Sequence, residues 1–263
     1  MSNIRKPRIC IKLILPLLLV SLSLTLCAQE KDSSISKINH FGGAVTIQSK
    51  GISTIPNLTL GKPAMVFDMS VGRKLIFEPQ FRFSLEGKPW AIVFWWRYNV
   101  LTSKKFSSYI RANHSLSFKT VSDTSSGTSQ EIIRTTRYLA GAIAPNFQVN
   151  KYIGVGMYFF YTRGIEKYIA RNTYMVSFRP GISNIPITKN MDARIGPEIY
   201  YLKIDDKDGM YLNTIFLISK KNSPLSVSAL INKTLKSNIP SGTDFLWNVG
   251  LIYTFNKEYM EVR

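Results

Sequence analysis

Hydrophobic and polar residues alternate along the chain from residue 40 to residue 256, in segments of about 10 to 15 residues. The clearest segment lies near the C-terminus, where every second position is apolar: Trp247, Val249, Leu251, Tyr253 and Phe255. Because successive side chains of a β-strand point to opposite faces, each segment predicts a strand with one apolar face. The 3.6-residue period of an amphipathic helix is not sustained anywhere in this region. The pattern therefore predicts an all-β fold.

The alternating segments number twelve. Their predicted ranges are 40–50, 62–72, 74–86, 88–101, 104–119, 131–148, 151–165, 170–184, 191–203, 210–221, 224–235 and 244–256. Longer, polar connections follow the first, fifth, seventh and eleventh segments, and most of the others are tighter. An even number of strands with connections of alternating length is typical of an antiparallel barrel whose termini lie at one end. We predict an antiparallel β-barrel of twelve strands, with ten or fourteen as alternatives.

Periodicity alone fits two architectures, a soluble sandwich or barrel and a transmembrane barrel. The less apolar face favours the second, because it carries small residues where a water-exposed surface would carry Lys and Glu: Ala140, Ala142, Ala144, Gly154, Gly156, Gly181, Ser183, Gly196, Ser226 and Ser228. Most segments also reach the length of about 9 to 11 residues that a tilted strand needs to cross a bilayer. Aromatic residues near strand ends are typical of interfacial belts, and six occupy such positions: Trp90, Trp95, Trp96, Tyr98, Tyr200 and Tyr201. We therefore predict a transmembrane barrel.

Residues 1–28 have the organisation of a cleaved export signal. Four basic residues precede an apolar stretch from Leu13 to Leu26, and Ala28 provides a cleavage site. The stretch is interrupted by Pro16, and it is too short to span a membrane as a helix, which takes about 20 residues. A lipoprotein acylated at Cys27 is the alternative, although Leu26 is a poor residue before such a cysteine. The predicted organisation is a signal peptide at 1–28, a short periplasmic segment at 29–39, a barrel at 40–256 and a C-terminal tail at 257–263.

The whole chain has 34 Lys and Arg residues against 16 Asp and Glu residues, and the mature chain stays strongly basic after cleavage. Both cysteines, Cys10 and Cys27, lie in the signal, so neither disulfides nor thiol chemistry are expected in the barrel. The positive charges are spread rather than concentrated in blocks. We therefore expect anionic lipid headgroups, and not nucleic acid, to be their partners.

Several features together resemble a Gram-negative outer-membrane β-barrel protein of porin type. They are the export signal ending Leu26-Cys27-Ala28-Gln29, the alternating strands over 40–256, the segment from Gly196 to Tyr200 and the closing strand from Trp247 to Phe255. The resemblance implies an outer-membrane location, contact with outer-membrane lipids and lipopolysaccharide, and assembly by the barrel-assembly machinery. It also implies that this machinery recognises the closing strand through Trp247, Val249, Leu251, Tyr253 and Phe255. In the family the last aromatic residue usually ends the chain, whereas here Asn256 to Arg263 follow it.

No residue pattern predicts a metal site, a cofactor or an enzyme. The two histidines, His40 and His114, lack metal-ligand spacing, and no phosphate-binding loop or nucleophile elbow occurs. An outer-membrane lipid hydrolase is a remaining alternative, because His114 has lipid-facing parity. The position two residues further on, where such an enzyme would be expected to carry its serine, is Leu116.

Strand parity also predicts which charged residues face the lumen. The predicted basic lumen residues are Arg82, Arg97, Arg111, Arg134, Arg179 and Arg194. The predicted acidic ones are Asp68, Glu78 and Glu198. A surplus of arginine along a water-filled bore favours a porin-like passive channel for small solutes with an anion preference. The same residues could instead pair across a packed, closed lumen. The alternative function is then a non-conducting structural or adhesion barrel that binds a partner through the loops Val121–Gln130 and Lys236–Asp244.

Overall fold

Twelve antiparallel strands account for nearly all of the chain that the computed structural model describes, which comprises residues 38–123, 130–240 and 243–260. The predicted signal at 1–28, most of the segment 29–39 and most of the loop Val121–Gln130 lie outside these residues. The strands are β1 (Ile38–Gln48), β2 (Ala64–Gly72), β3 (Leu75–Ser84), β4 (Pro89–Thr102), β5 (Phe106–Asp123), β6 (Gln130–Gln148), β7 (Ile153–Gly164), β8 (Asn172–Thr188), β9 (Met191–Ile204), β10 (Lys207–Lys220), β11 (Leu225–Ser237) and β12 (Phe245–Met260).

The strands form one closed barrel in which each strand pairs with its sequence neighbours and β1 pairs with β12. The closing ladder runs antiparallel from Ile38 opposite Met260 to Gln48 opposite Gly250. Closure leaves no free sheet edge, so the ladder hydrogen bonds continue around the whole circumference, as a lipid environment demands. The predicted twelve-stranded antiparallel barrel is confirmed.

The first and last strands are longer than the alternation of side chains predicts. β1 begins at Ile38, and residues 257–260, predicted as part of a tail, belong to β12. In the closing ladder Phe41 lies opposite Lys257 and His40 lies opposite Glu258. Backbone pairing does not require apolar side chains, so the strand continues beyond the point where the apolar alternation ends at Phe255.

The outer surface of the barrel is an exposed apolar belt. On β12 the outward residues Trp247 and Leu251 are 53% and 50% exposed, and on β6 the outward Leu139 and Ile143 are 52% and 51% exposed. The small residues named above occupy the inward positions of their strands. A soluble barrel would bury its apolar face, whereas here that face is on the outside, as lipid contact requires.

The connections divide the barrel into two distinct ends. Five short turns lie at one end, together with the first and last described residues of the chain: 73–74, 103–105, 149–152, 189–190 and 221–224. We call this end the turn rim. The opposite end carries the connections that follow the odd-numbered strands, including the connection 49–63 after β1, and we call it the loop rim. In outer-membrane barrels short turns are periplasmic and longer loops are extracellular. Among the described residues there is no helix long and apolar enough to cross a membrane.

Candidate functional site: the barrel lumen

The connection between β1 and β2 folds inward at the loop rim. Its base is closed at Gly51, whose N–H donates to the Lys62 carbonyl at 2.8 Å. The Gly51 carbonyl accepts hydrogen bonds from the N–H groups of Leu60 and Gly61, both at 3.0 Å. Residues 52–60, which include a short 3-10 turn at Pro56–Leu58, project from this base. We call residues 52–60 the inserted loop.

Two side chains of the barrel wall hold the inserted loop through its backbone. The Tyr200 hydroxyl donates to the Thr54 carbonyl at 3.1 Å and accepts a hydrogen bond from Asn232 Nδ2 at 2.9 Å. The Trp90 indole N–H donates to the Leu58 carbonyl at 2.9 Å. Ile55, only 9% exposed, belongs to a buried cluster that includes residues from five strands and the β11–β12 connection: Ala142, Ala144, Tyr158, Met175, Tyr200, Leu202, Ile204, Tyr211 and Ile239. The loop therefore narrows the lumen from the loop rim.

Two cavities lie beside the inserted loop. The larger, about 400 Å³, opens at the loop rim, and charged residues on its wall are Lys62, Glu86, Lys88, Lys119 and Glu131. The smaller, about 90 Å³, is lined by polar groups that include Arg82, Asn113, Ser115, Tyr138 and Thr162. Leu58, Trp90 and Ser117 border both cavities. These three residues therefore mark the boundary between the outer and the inner space.

A row of stacked cationic and aromatic side chains follows the inner wall. The Arg111 guanidinium lies 4.1 Å from the centre of the Trp95 ring, and its Nε donates to the Tyr158 hydroxyl at 3.1 Å. On the far side of Tyr158, the Arg179 guanidinium lies 3.9 Å from the ring centre and donates to Glu198 Oε1 at 2.6 Å. Strand β6 separates β5 from β7, and its small inward residues leave room for the contact between Arg111 and Tyr158. Such stacking stabilises cations that are partly withdrawn from water.

The lumen carries more cations than its carboxylates neutralise. Arg97 pairs with Glu78 at 2.9 Å, and Arg179 pairs with Glu198. Arg82 bonds Gln80 at 2.9 Å, and its charge interacts with Asp68, although the two do not form an ion pair within 4 Å. Among the described residues, Arg111 has no carboxylate partner at ion-pair distance. The central lumen thus contains four guanidinium groups and three carboxylates, which favours a positive potential.

Buried polar atoms without a protein partner all face the lumen. In the part of the chain that the structure describes they are Asp68 Oδ1, Arg82 Nε, Arg97 Nε, Asn113 Oδ1, Ser177 Oγ and Asn213 Oδ1. Each belongs to an inward position of its strand. A buried polar atom left unpaired costs about 1 to 3 kcal/mol, so a lumen that presents six of them is suited to hold water or polar solute.

The structure brings seven of the nine predicted lumen residues into the central part of the barrel and leaves two nearer its ends. Arg134 is exposed at the loop rim, where its guanidinium lies 5.5 Å from the Tyr168 ring. Arg194 is exposed on the inward side of β9, toward the turn rim. The closing-strand residues Trp247, Val249, Leu251 and Tyr253 all face outward and are exposed.

The prediction of an aromatic belt at six positions is wrong for three of them. Trp96, Tyr98 and Tyr201 face outward, but Trp90, Trp95 and Tyr200 face the lumen and are 4%, 7% and 1% exposed. Parity could have placed Trp95 and Tyr200 correctly, because they lie two residues from the inward residues Arg97 and Glu198. Trp90 escaped that rule because a register shift between β3 and β4 reverses its side.

His114 faces outward, as its parity predicts, and is exposed. Its register partners are Phe94 on β4 and Leu139 on β6. The outward positions before and after it on β5 are Ala112 and Leu116, so its nearest outer-face positions do not contain a serine. No group of three or more His, Cys, Asp or Glu side chains suited to a metal ion occurs within the described ranges.

Three solved structures are similar to this chain over most of its length at low sequence identity. The KdgM porin in complex with disordered oligogalacturonate has a TM-score of 0.49 and 11% identity, covering 82% of this chain and 99% of the porin. The COG4313 outer membrane channel from Pseudomonas putida F1 has a TM-score of 0.47 and 10% identity, covering 87% of this chain and 100% of the channel. LpxR from Salmonella typhimurium has a TM-score of 0.46 and 10% identity, covering 81% and 99%. No family model and no curated protein matches the chain.

A closed twelve-stranded sheet with an apolar outer belt and a polar lumen decides the architecture. The chain has the fold of an outer-membrane β-barrel. The assignment rests on this chain's own structure, because the solved structures share only 10% to 11% identity with it at TM-scores below 0.5. What this outer-membrane barrel does must be inferred from its own lumen.

Proposed function

We propose that this protein is a passive channel of the Gram-negative outer membrane, which conducts small solutes and prefers anions. On this proposal residues 1–28 direct export and the barrel-assembly machinery inserts the mature chain. The observation that carries the proposal is the lumen: its buried polar atoms without protein partners face inward, and its guanidinium groups outnumber its carboxylates.

The proposed solute path begins in the larger cavity at the loop rim, passes the inserted loop at Leu58 and Trp90, and reaches the smaller cavity with Arg82. It continues along the cationic and aromatic wall at Arg111 and Tyr158. Small inward residues widen the remaining path to the turn rim: Gly154, Gly156, Gly181, Gly196, Ser226 and Ser228. On this path the inserted loop lies between the two cavities, at Leu58.

The anion preference rests most directly on Arg111. Its charge is not neutralised by a nearby carboxylate, and its guanidinium lies against the aromatic ring of Trp95 at 4.1 Å. A fixed charge acts more strongly in a narrow pore with low-dielectric walls than at a water-exposed surface. Arg111 should therefore raise the local concentration of anions and oppose cation entry.

The test compares the wild-type channel with Arg111→Gln and with the matched control Arg163→Gln in planar bilayers under a salt gradient. Arg163 is exposed on the outward side of β7, so the control removes the same charge outside the lumen. We expect the wild-type protein to conduct, with a reversal potential whose sign shows that anions are more permeant than cations. Arg111→Gln should shift that potential toward zero, and Arg163→Gln should leave it unchanged. Equal reversal potentials for all three proteins would contradict the role of Arg111.

The packing of the inserted loop favours one alternative, a non-conducting barrel that binds a partner at its surface. Ile55 and the buried cluster close part of the lumen. The predicted partner loop Lys236–Asp244 contains the connection between β11 and β12, which is exposed at Asn238, Pro240 and Asp244. Residues 241 and 242 of this loop lie outside the described residues. A folded barrel that stays silent in bilayers, with or without the inserted loop, would favour this alternative over a channel.

A further inference from the structure

Basic residues occupy every turn of the turn rim. The five turns contain no Asp or Glu but seven Lys or Arg residues, all of them exposed: Arg73, Lys74, Lys104, Lys105, Lys151, Lys189 and Lys221. The described strand ends at this rim add the carboxylates of Asp192 on β9 and Glu258 on β12. The turns themselves form a ring of positive charge around this end of the barrel.

Most of these cations have no carboxylate partner within the part of the chain that the structure describes. Among the described residues only Lys221 of the seven has one at ion-pair distance, Asp192 Oδ1 at 3.5 Å. The loop rim differs, because three of its cations pair within the protein: Lys62 with Glu86, Lys88 with Glu131, and Arg137 with Glu166. The loop rim thus neutralises part of its own charge, whereas the turn rim presents its charge to the surroundings.

Backbone hydrogen bonds hold the turns at fixed positions. The Lys74 carbonyl accepts from the Asn99 N–H at 3.0 Å, and the Lys105 carbonyl accepts from the Gln148 N–H at 2.7 Å. The Lys221 N–H donates to the Asn190 carbonyl at 2.8 Å. The cations are therefore arranged around a rigid rim.

Two turn cations lie over the aromatic rings of tyrosine residues. Lys74 Nζ is 5.4 Å from the Tyr98 ring centre, and Lys151 Nζ is 4.9 Å from that of Tyr152. Both tyrosines are exposed, and Tyr98 faces outward from β4. Tyrosine prefers the boundary between hydrocarbon and headgroups, and lysine extends its ammonium group toward the phosphates.

We propose that the turn rim is a binding surface for anionic phospholipid headgroups of the adjoining leaflet, here represented by phosphatidylglycerol. Its cations match the charge of the headgroup phosphates, and the described carboxylates of the turn rim, Asp192 and Glu258, are too few to neutralise them. The surface would anchor the periplasmic end of the barrel in its leaflet. This inference does not depend on whether the lumen conducts.

The experiment measures the relative association of spin-labelled phosphatidylglycerol and phosphatidylcholine with the full mature protein in phosphatidylcholine vesicles. One variant carries five Lys→Gln substitutions in the turns, at Lys74, Lys104, Lys105, Lys151 and Lys189. The matched control carries five substitutions to Gln at the loop rim, at Lys50, Lys62, Lys88, Lys167 and Arg171. All ten side chains except that of Lys50 are exposed, and Lys50 is half-buried, so both variants should fold, which circular dichroism checks.

The wild-type barrel should associate with phosphatidylglycerol at least about threefold more strongly than with phosphatidylcholine, because basic residues near the membrane surface attract anionic lipid. The ratio of phosphatidylglycerol association to phosphatidylcholine association should fall toward one in 1 M salt, because salt screens the surface charges. The preference should be largely lost in the turn variant and retained in the loop-rim control. The proposal is overturned if the wild-type protein shows no preference, if the turn variant keeps it, or if both variants lose it equally.

Discussion

Replacing Tyr200 with Phe should release the inserted loop from the barrel wall. The substitution keeps the aromatic ring, which stacks on Tyr211 with a centroid distance of 5.0 Å, and removes only the hydroxyl. Two hydrogen bonds are lost, one to the Thr54 carbonyl and one from Asn232 Nδ2. Only the bond to Thr54 reaches the inserted loop, because Asn232 and Tyr200 both belong to the barrel wall. At about 0.5 to 1.5 kcal/mol net for that bond, the inserted position should lose about this much free energy relative to a displaced one. The equilibrium should therefore shift at least about twofold toward the displaced loop.

The assay is single-channel recording of the wild-type protein, Tyr200→Phe and the matched control Tyr201→Phe. Tyr201 is the next residue, but its hydroxyl faces outward and donates to Asp208 Oδ2 at 2.9 Å, so the control removes a hydroxyl without touching the loop. With the inserted loop displaced, the channel should conduct more current. We expect Tyr200→Phe to spend more time in this higher-conductance state than the wild-type protein does, and Tyr201→Phe to match the wild-type protein. Identical dwell times for the two variants would refute the idea that this hydroxyl holds the loop.

Three further predictions follow from local geometry. Replacing residues 52–60 with a short Gly-Ser linker should raise single-channel conductance without unfolding the barrel, because the hydrogen bonds at Gly51 already bring the loop ends together. Hydrogen bonds from the backbone N–H and side chain of Arg137 lower the pKa of Glu166 from its ordinary value of 4.5. The stabilisation of the fold by Glu166 should therefore be fully present above pH 4.5 and lost as the pH falls through the lowered pKa, so the melting temperature should exceed that of Glu166→Gln at pH 7 but not in acid. Gly43→Ala should destabilise the barrel by about 1 to 3 kcal/mol, because the added Cβ would lie 2.2 Å from the Asp68 carbonyl oxygen. Gly196→Ala should be tolerated, because the atom nearest to its added Cβ is 4.0 Å away, and denaturant unfolding in detergent distinguishes the two variants.

The strands could be predicted from the sequence because lipid and lumen impose opposite requirements on alternate residues. The segment from Trp247 to Phe255 shows this most clearly, and the predicted twelve segments correspond to β1 through β12. The alternation did not predict the end of β12, where strand pairing continues with polar side chains at residues 257–260. There the hydrogen bonds to β1, which depend on the backbone, set the end of the strand.

The charged lumen residues were also within reach of parity, but the feature that narrows the lumen was not. Nothing in the segment from Ser53 to Leu60 distinguishes a loop that folds inward from one that extends outward. Its position depends on Tyr200 and Trp90, which are distant from the loop in sequence. Contacts of that kind follow from closure of the barrel and from a register shift beside Trp90, and neither is visible in a local pattern.

The reversal potential of the purified mature protein in a planar bilayer, measured across a tenfold KCl gradient, tests the central claim most directly. The surplus guanidinium groups of the lumen predict discrete channel openings with a reversal potential on the chloride side. A folded barrel without current, or openings with a reversal potential on the potassium side, would contradict the proposed anion-preferring channel.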